Sequence, residues 1–123
     1  MIIFDKQSKH KVSDIDLHDA EVHEIFCNYT EHKIRVPLKL HNPTRGKVEA
    51  ELNFEDVLFV DISLCEPWGA GFYINEIIVS NDTMFISKFD DPEKYINSIH
   101  LTILLNSGDK INVVASKILY LEK

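Results

Sequence analysis

Apolar and polar residues alternate at every second position through most of this chain, and that period commits it to sheet. Ile34, Val36, Leu38 and Leu40 alternate with Lys33, Arg35, Lys39 and His41, which describes a half-buried strand. Pro37 falls on the polar side of that run. Without an N–H it cannot serve ladders on both edges, so an edge strand or a bulge is expected there. Asn42-Pro43-Thr44-Arg45-Gly46 is rich in breakers, and Val48, Ala50, Leu52 and Phe54 then resume the alternation. The two runs read as a hairpin. A separate run, Leu58, Val60, Ile62 and Leu64, has Val57 and Phe59 on its opposite face. That pattern predicts a central strand, apolar on both sides at its start.

Near the C-terminus, Ile99, Leu101, Ile103 and Leu105 lead into the glycine turn Asn106-Ser107-Gly108-Asp109-Lys110, and Ile111, Val113 and Ala115 return. The phase slips by one residue at Ser116-Lys117 before Ile118 and Tyr120. A β-bulge leaves such a slip. Ile25, Cys27 and Tyr29 alternate earlier, and Ile74 to Val79 and Met84 to Phe89 also read as strands. Asp91-Pro92-Glu93 reads as a helix start, with Asp91 as cap and Pro92 at the first helical position. A helix there is one or two turns long and ends near Asn97. Ser13 to Phe26 reads as loop and then strand. The expected fold is mostly β: an antiparallel sandwich or partly closed barrel of about seven to eight short strands, with at most one short helix. A chain of 123 residues makes one such domain, 1–123, with a core that needs neither disulfides nor metal.

The net charge of −7 narrows the partners. It repels phosphate backbones and anionic membranes, so neither nucleic acid nor membrane is expected, and it steers a basic protein inward. Cys27 and Cys65 have no spacing that makes a disulfide framework or a zinc site. Both are read as buried free thiols in a reducing compartment. The apolar stretch at Met1-Ile2-Ile3-Phe4 is too short for a signal peptide, and no run reaches the ~20 apolar residues of a membrane helix. The cytoplasm is the expected location.

Two stretches stand out as candidate sites. Leu17-His18-Asp19-Ala20-Glu21-Val22-His23 gathers two histidines and two acids. His18 and His23 are five apart, which puts them far apart in angle on a helix and on opposite faces of a strand, so no metal pair is expected. The structural role for the same residues is a turn, with Asp19 on its own backbone and His18 on a nearby carbonyl. The second stretch runs Cys65-Glu66-Pro67-Trp68-Gly69-Ala70-Gly71-Phe72-Tyr73-Ile74-Asn75 and holds the sole tryptophan. It lacks the lysine and helix of a phosphate loop. Trp68 either presents a contact or folds back as a cap on the core. The candidate binding residues are Glu66, Trp68, Gly69, Gly71 and Tyr73, with His18 and Asp19 from the first stretch. No nucleophile has a recognisable setting, so catalysis is disfavoured, and no cofactor is expected.

Those stretches also resemble a group of small bacterial proteins of unassigned activity. Its members carry a Leu-His-Asp-Ala stretch early and an acidic-Pro-Trp-Gly stretch followed by Ile-Asn. The matching residues here are Leu17-His18-Asp19-Ala20, Glu66-Pro67-Trp68-Gly69 and Ile74-Asn75, and the likeness continues to Ser107-Gly108-Asp109 and Val114-Ala115-Ser116. Gly71 stands where many members have serine. The group is loosely similar to immunity proteins of polymorphic toxin systems, and the resemblance implies an inhibitor of a partner protein.

Two expectations follow. One is an interaction protein of the immunity type, binding a basic partner through Glu49, Glu51, Glu55, Asp56 and Asp61 on adjacent strands. The other is a small-molecule-binding β module with the Trp68 loop as lip of a cavity of a few hundred Å³. An exposed edge strand would also allow a homodimer.

Overall fold

The computed structural model describes residues 1–64, 72–80 and 91–123. It is mostly β. Seven strands form one antiparallel sheet: β1 (Ile2–Phe4), β2 (Phe26–Asn28), β3 (Lys33–Asn42), β4 (Gly46–Ile62), β5 (Ile74–Ser80), β6 (Ile99–Leu105) and β7 (Lys110–Glu122). A 3-10 helix at Lys9–Asp14 and a short α-helix, α1 (Pro92–Ile96), complete the described elements. Strand order is β2-β3-β4-β7-β6-β5, and among the described residues the sheet does not close into a barrel. β7 has β4 along one edge. Its other edge is shared, with β6 against residues 110–115 and β1 against 118–120.

The hairpins lie where the alternation puts them. Asn42 Oδ1 accepts from the backbone N–H groups of Thr44 and Arg45, and Gly46 leaves the turn at φ 73°, a left-handed conformation that favours glycine. The β6–β7 turn uses Gly108 at φ 89° in the same way. At α1, Asp91 Oδ1 accepts from the Glu93 N–H at 3.0 Å and Pro92 occupies the first turn, so the capping signal acts as read. Pro37 sits inside β3 opposite Glu51. Lys39, two residues on, directs its N–H and C=O away from β4 to Glu21, so the Pro37 nitrogen faces that same outer edge and costs no rung to β4.

Where two separate runs were expected at 48–54 and 57–64, β4 is one strand of 17 residues. Asp56 is the reason. It adopts φ 51°, and its Oδ2 accepts from Ser116 Oγ at 2.9 Å, so the chain turns over without leaving the ladder. Ser116 and Lys117 on β7 lie at the same level, and the expected phase slip is there: Ile111, Val113 and Ala115 are buried before it, Ile118 and Tyr120 after it. The register also shifts between Val57 and Phe59. At this level β7 exchanges β6 for β1 as neighbour. The sheet is thereby divided into two halves that share β4 and β7.

The core is formed by the inward residues of both halves, among them Ile34, Val36, Leu52, Phe54, Ile99, Leu101, Ile103 and Ile118. Leu17, Ala20 and Val22 join it from outside the strands. Residues 13–26 therefore differ from the expected loop and strand. They run from the 3-10 helix into an irregular segment anchored by buried side chains, and regular pairing begins only at Phe26. Cys27 is a second correction. It is exposed on β2, because this strand covers no core and all three of its residues face solvent. Cys65 and the strand read at Met84 to Phe89 lie outside the described residues.

Candidate functional site

The two stretches singled out in the sequence meet in space. The Asp19 N–H donates to Ile74 O and the Ile74 N–H to Ala20 O, both at 2.8 Å, and the Val22 N–H donates to Phe72 O at 2.8 Å. On the opposite side, Glu21 and Lys39 exchange two backbone hydrogen bonds of 2.9 and 3.1 Å. Residues 19–22 thus span from β3, near one end of the sheet order, to the start of β5 at the other end. They act as a strap across the open seam of the sheet. Asp19 takes φ 65° to enter it.

Side chains reinforce the strap. Glu21 is buried, and its two oxygens face two imidazoles: His23 Nε2 lies 3.1 Å from Oε1, and His41 Nε2 lies 2.8 Å from Oε2. Each imidazole donates its Nε2–H to the carboxylate. The hydrogen bond from His23, opposed by burial and aided by His41 and Lys47, holds the Glu21 carboxyl below the ordinary glutamate range. Phe72 stacks against His23 at 4.5 Å and against Tyr73 at 4.6 Å. A cavity of about 280 Å³ opens beside this cluster, lined by Glu21, His23, Glu24, Lys39, Glu49 and Lys123 among others. The sequence reading missed this group. The spacing Glu21-x-His23 hinted at it, since an extended segment brings both to one side. His41 carried no such hint, because only the pairing of Glu21 with Lys39 brings it near.

His18 and Asp19 lie at the other end of the strap. His18 Nδ1 is 2.9 Å from the Asn75 carbonyl, which ties the His-Asp stretch to the Ile-Asn pair. The Asp19 carboxylate is 3.6 Å from His18 Nε2, and both side chains are more than half exposed. Beside them, residues 13–18 and 75–77 enclose a concavity of about 370 Å³ whose wall carries Asp14, Asp16 and Glu76. Among the described residues none of these three carboxylates is in an ion pair. Tyr73 belongs to the seam cluster instead, 6.5 Å from His41. Glu66, Trp68, Gly69 and Gly71 lie outside the described residues.

The acidic set is read differently in the structure: Glu49, Glu51, Glu55, Asp56 and Asp61 share the single strand β4 rather than adjacent ones, and two of them already have partners, Asp56 accepting from Ser116. Glu51 is buried and already neutralised by Lys123 at 3.1 Å and Arg35 at 3.5 Å, with Asn53 donating at 2.9 Å. Glu55 lies opposite Lys117.

Neither protein-family models, nor curated proteins, nor solved structures yield a match. Among the described residues, no group of three or more His, Cys, Asp or Glu is arranged to hold a metal ion, and no helix is long and apolar enough to cross a membrane.

Proposed function

We propose that this protein is an interaction module that receives a basic group of a partner protein, in the manner of an immunity-type inhibitor. The single observation that carries the reading is the concavity at 13–18 and 75–77. It is lined by Asp14, Asp16 and Glu76, with no lysine or arginine on its wall and no ion pair to these acids among the described residues. Three exposed carboxylates around one depression attract an ammonium or guanidinium group, and the overall charge of −7 steers such a partner toward it. The His18–Asn75 hydrogen bond supports one wall against the other.

The test uses a defined probe. Fluorescence anisotropy with an arginine- and lysine-rich peptide at low salt should show binding that weakens as salt rises. The triple variant D14N/D16N/E76Q should bind about tenfold more weakly, since three exposed charge contacts sum to roughly 1–2 kcal/mol. E49Q/E55Q/D61N, which removes the same number of charges from β4, should bind as the parent does. Equal weakening by both variants would mean that the peptide senses net charge alone and would remove the concavity from the account.

A second reading, the small-molecule-binding module, is favoured by the seam cavity. Its wall mixes Lys39 and Lys123 with Glu24 and Glu49, a pattern suited to a small zwitterion.

A further inference from the structure

Two backbone hydrogen bonds hold the strap to β3 and three hold it to residues 72–74. Glu21 pairs with Lys39 on one side and with Tyr73 on the other, and both pairings are isolated bridges rather than parts of longer ladders. Ala20 and Val22 are buried, but the strap makes far fewer backbone hydrogen bonds than the β4–β7 ladder, so it opens before that ladder does. The Glu21 carboxylate adds what the short ladders lack, an anion held between the two imidazole N–H groups.

We infer that residues 19–22 form an acid-released closure of the sheet: protonation of Glu21 lets the strap leave β3 and the chain at 72–74 while β4, β6 and β7 remain folded. The charges around Glu21 set the direction. His41 and Lys39 face it from β3, Lys47 acts on it from β4, and His23 lies on its own segment. Glu24 and Glu49 line the adjoining cavity with Lys123, and Tyr73 is the ring across the seam. Imidazoles are cationic at acid pH. Once Glu21 takes a proton, two imidazolium groups and the nearby lysines face one another without the anion that separated them. A neutral carboxyl also accepts less strongly and brings a proton of its own that needs an acceptor.

The pH window follows from the sign. Glu21 is held below the ordinary glutamate value of 4.5, so its contribution to closure is complete above about pH 4.5 and is lost as pH falls below it. The inference does not depend on any partner of the acidic concavity.

Amide hydrogen exchange resolved by NMR tests it. The Asp19, Val22 and Ile74 amides report closure, because each donates across the strap. Their protection should fall between pH 7 and pH 3.5, by up to about tenfold because pH 3.5 lies one unit below the ordinary glutamate value of 4.5, while amides of the β4–β7 ladder keep theirs. In E21Q the strap amides should show that loss already at pH 7 and no further acid step. H23Q/H41Q, which keeps donors but removes the imidazolium charges, should shrink the acid step. Two results overturn the inference: E21Q with the wild-type protection and pH profile, or strap amides that lose protection only together with β4–β7. If E21Q fails to fold, the wild-type profile alone decides between local and global loss.

Discussion

Tyr120 shows how one side chain is set by its neighbours. It is buried on β7, and its hydroxyl donates to Glu122 Oε1 at 3.1 Å. Burial first, and then the Glu122 hydrogen bond and charge, push its phenol up to about 12. The neutral phenol is the form that the folded state favours. Its contribution to stability is complete below pH 10.0, the unperturbed value, and is lost as pH climbs to about 12. Titration followed by ultraviolet absorbance should therefore include a phenol ionising near pH 12, and E122Q should bring that step part of the way back toward 10.0. A late phenol unaffected by E122Q would mean that burial alone sets it. The same locality governs Glu51, whose carboxyl Asn53, Lys123 and Arg35 hold below the ordinary range against the cost of burial. An acid in an alternating strand looks solvent-facing and available in the sequence. Whether it is free depends on the strands that register brings beside it, here Arg35 from β3 and Lys123 beyond β7.

At the scale of elements, the period-two pattern was a sufficient guide to the β3–β4 and β6–β7 hairpins and to α1, because turn residues and the Asp91-Pro92 cap are local signals. The strap was not legible. Leu17, Ala20 and Val22 follow neither a helical nor a strand period, and they are buried because Lys39 and Phe72 to Ile74, distant in sequence, hold the segment in place. The continuity of β4 through Asp56 was hidden for a related reason. A slip of phase reads equally as a turn between two strands or as a fold-over within one, and only the Ser116 partner on β7 decides. That account makes a prediction about β4. Asp56→Val places a β-branched side chain at φ 51° and should cost about 2 kcal/mol of stability in denaturant unfolding. Asp56→Gly removes the strain and the Ser116 bond together, so its effect should stay within about 0.5 kcal/mol. Similar losses for both variants would place the importance of Asp56 in its side chain rather than in its backbone.

For the whole molecule, the described residues form one antiparallel sheet divided at Glu55-Asp56 and Ser116-Lys117, its ends joined by the strap. This arrangement positions both candidate sites. The seam cluster of Glu21, His23 and His41 lies at the centre of the strap, and the acidic concavity lies where the strap departs from the 3-10 helix. The acid release proposed for the seam requires that residues 19–22 touch both ends of the sheet at once, and the concavity requires their contact with the start of β5. Through-space NMR contacts measure that most directly, in ¹⁵N-edited spectra of the wild-type chain at neutral pH. The account predicts contacts from Glu21 to Lys39 and, in the same sample, from Ala20 and Val22 to residues 72–74. Contacts from residues 19–22 to only one of the two partners, or to neither, would contradict it.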